Sequence, residues 1–218
     1  AFEKEVKKGM VAVKVAVAYS RPLKFENVET ETARKVFRSL VNANEDHKIL
    51  FQAARPLQDY MFHKLMALAQ KHKLPVTIHT GLFSGDGNTI GHSDPTQLSN
   101  VFFKYPDVNF VLFHGSYPFG GELSTLAKNF RNVYIDMNWV YSISPSFAER
   151  YLTEWLETVP ASKITGFGGD CMVVENVYSE LKLAKSIISN VLIKKVRDGY
   201  LSEKEVQTVA RMILYENA

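Results

Sequence analysis

Short apolar stretches that end in a chemically active side chain recur three times in this chain, and they constrain its fold more than any other feature. Residues 75–81 have the sequence PVTIHTG, residues 110–115 FVLFHG and residues 164–170 ITGFGGD. Each stretch has the length of a strand, and segments of helical composition separate them. This alternation predicts repeated strand–helix units whose strands form one parallel sheet.

Parallel strands all end on the same face of a sheet, so we expect His79, His114 and Asp170 to converge there. In barrel enzymes of this kind that face holds the active site. A lone histidine on an apolar strand is more often a core residue than a ligand. Three such residues at three strand ends favour a shared site, because histidine and aspartate are ligand types that divalent metals such as zinc accept.

The chain contains five such units. The strands are predicted at residues 10–19, 75–79, 108–114, 133–137 and 163–167, and the helices at 3–9, 29–43, 56–71, 120–130, 146–158, 174–198 and 202–215. The first strand is apolar along almost its whole length, which predicts burial on both faces. A closed (β/α)8 TIM barrel needs eight units and about 250 residues. We therefore expect an α/β fold, a single domain over 1–218, that forms roughly five-eighths of a TIM barrel and lacks the first three units.

Composition limits the partners and the compartment. The chain is 46% apolar and 22% charged, as globular proteins are, and its scattered basic residues give a net charge of only +3. These values predict no nucleic-acid partner. No apolar run approaches the ~18 residues of a membrane span, so we expect no membrane partner. The single cysteine, Cys171, excludes an internal disulfide and favours a cytoplasmic location.

Three further residues are candidates for the site. Lys14 lies within the first strand, where a buried charge needs a partner, and it could be a Schiff-base amine, a carbamate-forming ligand or half of an ion pair. Arg21 follows that strand and could clamp a substrate carboxylate with two parallel hydrogen bonds. Tyr117 offers a hydroxyl group to the same pocket. Together they predict a small substrate that carries a carboxylate.

Four ordered motifs carry a family resemblance that spans nearly the whole chain: IHTG at 78–81, FHGSYP at 113–118, NVYID at 132–136 and GFGGD at 166–170. They resemble the second amidohydrolase family of metal-dependent TIM-barrel hydrolases, which is related to aminocarboxymuconate semialdehyde decarboxylase and to uronate isomerase. The resemblance implies a divalent metal, zinc or alternatively manganese. It implies that a His-x-His pair on the first barrel strand, a histidine on the fifth and an aspartate on the eighth hold the metal, and that a histidine on the sixth is catalytic.

Residue by residue, the resemblance makes His79 a metal ligand, His114 a catalytic residue and Asp170 both. Lys14 falls at the fourth-strand position, where some relatives carry a carbamylated lysine. The chain departs from the family in having no His-x-His anywhere. We therefore expect the metal to bind weakly or to be absent in this chain alone. We also expect the chain to be part of a longer polypeptide or a partial barrel that completes itself as a homo-oligomer.

Several functions stay open on the sequence. The first is a metal-dependent hydrolase that uses metal-activated water, or a decarboxylase or uronate-isomerase-like enzyme of the same superfamily. The second is a Schiff-base aldolase that uses Lys14, and the third is a non-catalytic truncated barrel. In all cases the first and last strands are expected to be open edges, which tend to pair with other chains.

Overall fold

Five parallel strands form one sheet in chain order in the computed structural model, which describes residues 1–42 and 51–218. The strands are β1 (Val13–Val15), β2 (Val76–Ile78), β3 (Phe110–Leu112), β4 (Val133–Asp136) and β5 (Ile164–Thr165). Sequential parallel order with a helical crossover between neighbours is the arrangement of part of a (β/α) barrel. The last residue of the predicted 29–43 helix lies outside the described residues.

Helices follow each strand, much as the sequence predicts. Their bounds are α1 (Phe2–Lys7), α2 (Thr30–Val41), α3 (Arg55–Lys71), α4 (Ser99–Lys104), α5 (Gly120–Asn129), α6 (Val140–Ile143), α7 (Pro145–Thr158), α8 (Val174–Arg197) and α9 (Glu203–Arg211). The sequence also predicts a helix with Ser93 or Asp94 as its cap and Pro95 at its first position; it is observed as a 3-10 turn, Pro95–Leu98, capped by Asp94, which continues into α4. The single turn of α6 is not predicted, because it leaves too little periodicity to detect in a sequence.

One face of the sheet is sealed against the helices. Along β2 to β5, every second residue is completely buried, and these residues form the centre of the hydrophobic core: Val76, Ile78, Phe110, Leu112, Val133, Ile135 and Ile164. Aliphatic side chains from α8 and aromatic side chains from α7 pack in the same core. Burial at ~25 cal/mol per Å² of apolar surface makes this face the main source of stability.

The opposite face, which would line the interior of a closed barrel, is only half covered. Thr77, Val111 and Tyr134 lie side by side on this face and are partly exposed, and Lys14 beside them is exposed. The prediction that the first strand is buried on both faces is therefore wrong. Among the described residues no element packs over the interior face. Strand β1, Val13–Val15, is also shorter than the predicted 10–19. Val11 before it is 81% exposed, and Val17–Tyr19 after it form a 3-10 turn.

The two edges of the sheet differ. On the β5 side, the Gly166 N–H donates to the Ile213 carbonyl at 2.8 Å, and the Asn217 side-chain amide donates to the carbonyls of Ala161 and Ile164. The expectation of an open edge at the last strand is thus wrong, because the C-terminal segment satisfies it. On the β1 side no strand of the described chain pairs with the outer edge.

Candidate active site

The three predicted strand-end residues lie together. His79 follows β2, His114 follows β3 and Asp170 follows β5. Nε2 of His114 is 3.1 Å from Nδ1 of His79 and 3.7 Å from Oδ2 of Asp170. Both histidines are buried, whereas the Asp170 side chain is 54% exposed. The predicted convergence is confirmed, although the roles of these residues stay predictions.

Backbone conformations of positive φ shape this end of the sheet. His114 (φ 62), Ser116 (φ 51) and Asp170 (φ 47) all lie in the left-handed region, which non-glycine residues seldom adopt. A Cβ at Gly81 would lie 2.4 Å from the Tyr117 carbonyl oxygen, so the loop after β2 can cross the loop after β3 only at a glycine. The glycine of the IHTG motif therefore holds the His79 and His114 loops in contact.

The hydrogen bonds of the two histidines are one proton short. His79 Nε2 is 2.9 Å from the Leu82 carbonyl oxygen, and His114 Nδ1 is 3.3 Å from the Asn138 carbonyl oxygen. Both carbonyls are acceptors, so they are satisfied only in the tautomers that place the proton on these two nitrogens. In those tautomers each neutral imidazole has used its one proton, and two lone pairs face each other across the 3.1 Å contact.

Burial keeps both rings neutral. It lowers the pKa of His79 to about 4, assisted by the nearby His114, while the Leu82 carbonyl acts in the opposite direction. Burial also lowers the pKa of His114, against the opposing effects of Asn138 and Asp170. A third proton is thus unfavourable at neutral pH.

The donor set fits part of a metal site. Zinc binds histidine nitrogen at ~2.0–2.1 Å, so one ion can join two nitrogens up to about 4 Å apart. The 3.1 Å separation of the His79 and His114 nitrogens lies within that reach, and Asp170 supplies an adjacent carboxylate. Within residues 1–42 and 51–218, however, no group of three histidine, cysteine or acidic side chains meets the geometry of a metal site. The described chain therefore offers an incomplete ligand set.

Aromatic rings surround the histidine pair. Tyr19 and Phe83 pack on His79 with ring centroids 4.7 and 5.4 Å away, and Trp139 packs on His114 at 5.2 Å. The Ser84 N–H donates to the Tyr19 hydroxyl at 3.3 Å, which holds the glycine-rich loop after β2 against the site. Sequence reasoning missed Tyr19 and Phe83: Phe83 belongs to no strand-end motif, and Tyr19 ends the predicted first strand without a glycine or a metal-capable group beside it. These rings cover the histidines, although Tyr19 is itself 43% exposed.

Lys14 projects onto the interior face beside the site. Its Nζ lies 3.3 Å from the centroid of the Phe113 ring, a cation–π contact. Burial lowers the pKa of Lys14 to about 8, against the favourable charges of Asp170 and Asp136. Among the described residues, the salt bridges within 4 Å do not include Lys14. The three roles that the sequence leaves open for Lys14 stay predictions.

Arg21 is engaged inside the protein. Its Nη2 donates to Oδ1 of Asp59 at 2.6 Å and to the Lys24 carbonyl at 2.7 Å, and its Nη1 donates to Gln58 at 3.0 Å. Both side chains of the Arg21–Asp59 pair are buried. A buried pair of this kind holds the loop after β1 against α3. The substrate-clamp role stays a prediction, and this pairing does not favour it.

Tyr117 packs against the core. Its ring meets Phe147 edge-to-face with centroids 4.8 Å apart, and its backbone forms the contact with Gly81 described above. Its side chain is partly buried and shares the apolar surroundings of α7. The substrate-binding role of Tyr117 stays a prediction.

A family comparison agrees with this geometry. The model of the amidohydrolase family matches residues 11–218. This chain belongs to the amidohydrolase family. The protein fluG of Emericella nidulans is 25% identical to this amidohydrolase chain over 217 residues, which cover 96% of the chain and 25% of the fungal protein.

Solved structures show the same fold at lower sequence identity. A Lactobacillus casei protein assigned as a metal-dependent hydrolase superposes with a TM-score of 0.81 at 22% identity, over 99% of this chain and 55% of its own. A uronate isomerase of Thermotoga maritima gives 0.81 at 19%, over 99% of this chain and 50% of its own. The chain thus spans about half the length of these structures, and its fold is that of part of a TIM barrel. No helix among the described residues is long and apolar enough to cross a membrane.

Proposed function

We propose that this chain carries one part of the active site of a metal-dependent hydrolase that acts on a small substrate bearing a carboxylate. The observation that carries this proposal is the histidine pair, whose two lone pairs converge beside Asp170 at the carboxyl ends of the strands. Two buried nitrogens without a shared proton form a costly contact unless a cation binds them. Membership of the amidohydrolase family supports the same reading.

His79, His114 and Asp170 are the residues that would hold a divalent ion. Such an ion supplies a water molecule whose pKa falls towards ~7. Asp170 is positioned to accept a proton from a nucleophilic water, because its exposed carboxylate faces solvent on one side and His114 on the other. Tyr19, Phe83 and Trp139 pack against the histidine rings and would help to fix their orientation.

Lys14 is the cation we assign to the substrate carboxylate. It lies on the open interior face, within electrostatic range of Asp170, and its amino group is not held by a carboxylate of the described chain. An ammonium group near a half-buried site attracts an anionic substrate and orients it. This assignment replaces the clamp that the sequence predicted for Arg21.

Metal binding tests the proposal. Zinc or manganese titrated into the chain by calorimetry should bind weakly, because about three protein ligands are usual and this chain supplies an incomplete set. His79→Ala and Asp170→Asn should each weaken that binding at least about tenfold. His92→Ala, which alters a partly exposed histidine in the 3-10 turn Ile90–Ser93, is the matched control and should leave it unchanged. Equal affinities in all four proteins would contradict the site.

Activity requires a second measurement. Once further strand–helix units complete the ligand set, amides, esters and β-keto acids that carry a carboxylate should be turned over only with added metal, and a chelator should abolish the turnover. Release of carbon dioxide instead of a hydrolysed product would assign the chain to the decarboxylases. Interconversion of a uronate would assign it to the isomerases.

A Schiff-base aldolase is the second candidate, and the lowered pKa of Lys14 favours it. An amine with a pKa near 8 has an appreciable neutral, nucleophilic fraction at neutral pH. Borohydride trapping of a carbonyl substrate on Lys14, in the presence of chelator, would support this candidate. Turnover that depends on metal, without a trapped adduct, would exclude it.

The open side of β1 is the place where we propose that further strand–helix units pack. A groove of about 580 Å³ runs along it, lined mainly by apolar side chains that include Val15, Val17, Phe25, Met61 and Leu65. The solved relatives have about twice the length of this chain. In this protein, further strand–helix units equivalent to the rest of those structures would pair with β1 and complete the ligand set.

Light scattering separates the possible occupants of this groove. If further units of the same polypeptide belong there, the chain alone should associate weakly and expose apolar surface to a dye. A defined dimer that hides the groove would identify a second copy as the occupant. A soluble monomer at high concentration that binds no dye would overturn the proposal.

A further inference from the structure

We propose that Asp136 and Thr165 are positioning residues for His114: through the turn at Asn138 they hold its ring in the tautomer that leaves Nε2 without a proton. This inference deepens the proposed function and rests on it, since a bare Nε2 matters for cation binding. Neither residue belongs to the strand-end set of His79, His114 and Asp170.

The first step is the fixing of the Asp136 carboxylate. Its Oδ2 accepts the hydroxyl proton of Thr165 at 2.7 Å, and its Oδ1 accepts the Asn138 backbone N–H at 2.8 Å. Thr165 is the partner of Asp136 across the β4–β5 ladder. Both oxygens are therefore occupied, one by the neighbouring strand and one by the turn that follows β4.

The second step is the orientation of the turn. The Trp139 N–H donates to the Gly168 carbonyl at 2.9 Å, and Trp139 adopts a left-handed φ of 61°. The Asn138 carbonyl accepts the Val140 N–H at 2.7 Å, so its oxygen is aimed by the turn itself. A non-glycine residue with positive φ persists only where the surroundings enforce it. The Asp136 carboxylate is one of the groups that enforce it.

The third step is the choice of tautomer. The same Asn138 carbonyl lies 3.3 Å from Nδ1 of His114 and can only accept a proton from it. The ring proton is then on Nδ1, and Nε2 faces His79 and Asp170 as a lone pair. A partner on one ring nitrogen sets the state of the other in metal-binding histidines generally. Here the partner is a backbone carbonyl, and Asp136 with Thr165 determines where it lies.

The test reads the tautomer of His114 directly. Long-range 1H–15N NMR spectra of the histidine-labelled, metal-free chain at pH ~8 distinguish the two tautomers, and His114→Gln assigns the signals. Thr165→Val removes the hydroxyl at constant shape and should shift the tautomer ratio about fivefold towards Nε2–H, the amount expected for one weakened hydrogen bond. Thr165→Ser keeps the hydroxyl and should restore the ratio.

A matched control separates positioning from general damage to the sheet. Thr77 also lies on the interior face, and its hydroxyl donates to the Val13 carbonyl of the neighbouring strand at 3.2 Å. The Thr165 hydroxyl lies 3.3 Å from the equivalent Ile135 carbonyl, but its single proton goes to the nearer Asp136 carboxylate. Thr77→Val therefore removes a hydroxyl from an equivalent strand position without touching Asp136. It should leave the His114 tautomer unchanged.

A second pair of variants keeps the inference falsifiable if Thr165→Val does not fold. Asp136→Asn retains an oxygen for the Asn138 N–H and should keep the wild-type tautomer, whereas Asp136→Leu should lose it. An unchanged His114 spectrum in every folded Thr165 or Asp136 variant would overturn the inference, as would an equal shift in Thr77→Val. The measurement needs no metal and no substrate. The His114 tautomer can therefore be determined even if the proposed hydrolase function is wrong.

Discussion

The two faces of the sheet are built from alternate residues of the same strands, yet one face is buried and the other is partly exposed to solvent. Leu112 is completely buried among helices, while Val111 beside it points to the interior face and is partly exposed. The covered face supplies stability, and the open face carries Lys14, Asp136 and the approach to the site. The helices of this chain therefore cover one face of the sheet completely, whereas the described residues leave the face that would line a barrel interior partly exposed.

The edges repeat the contrast. The outer edge of β5 is satisfied by Ile213 and Asn217, whereas β1 ends the sheet without a second strand among the described residues. Unpaired strand edges are templates for pairing with another chain. The side that is open at β1 is also the side from which further ligands would have to come.

The largest expected effect tests the faces directly. Leu112→Ala should lower the free energy of unfolding by about 3 kcal/mol, because it leaves a cavity in a packed core. Val111→Ala, one residue earlier, should cost less than about 1 kcal/mol because its side chain is already partly hydrated. Urea unfolding measures both values. Equal costs would mean that the interior face is covered in solution, by association or by other parts of the protein.

A smaller effect is expected at the closed edge. Asn217→Ala removes two hydrogen bonds to the backbone around β5, each of which contributes about 1 kcal/mol, so the loss should be about 2 kcal/mol. Asn190→Ala, on the exposed face of α8, is the matched control and should stay within about 0.5 kcal/mol of wild type. If Asn217→Ala is as harmless as the control, the C-terminal segment does not close the edge.

The smallest effects depend on pH and have opposite signs at His79 and at Asp136, two groups of the open face. His79 has its pKa lowered to about 4, so below its unfolded value of 6.5 the unfolded chain binds the extra proton. The stability that wild type holds over His79→Gln should therefore be present above pH 6.5 and be lost as the pH falls towards 4. We expect a change on the order of 1–2 kcal/mol, discounted for solvent near the loops.

Asp136 should behave in the opposite way. Burial raises its pKa to about 6, against hydrogen bonds from Asn138 and Thr165, so between pH 4 and 6 the folded chain binds more protons than the unfolded chain. Wild type should lose stability relative to Asp136→Asn as the pH rises through that range. Unfolding curves at several pH values measure both slopes. Slopes of the same sign for His79→Gln and Asp136→Asn would contradict this account of the site.

The sequence by itself determined the order of the elements and the site at the strand ends. Short apolar runs lead into His79, His114 and Asp170. Their convergence can be predicted without knowing any distance between them, since parallel strands bring their ends together in any such sheet. Strong helices were equally accessible: the predicted 56–71 helix is observed at Arg55–Lys71, with Pro56 in its first turn as expected. The four family motifs coincide with the ends of these same apolar runs.

Only the tertiary structure decided what covers each strand and which group pairs with which. An apolar run such as residues 10–19 cannot show that one of its faces lacks a covering layer, because burial depends on elements distant in sequence. Arg21 pairs with Asp59, which lies 38 residues away, and Lys14 lies over the Phe113 ring, a contact that its place in the first strand does not reveal. The tautomers of His79 and His114 likewise depend on the backbone carbonyls of Leu82 and Asn138. The directions of these carbonyls are set by loop conformations that cannot be read from the amino-acid sequence.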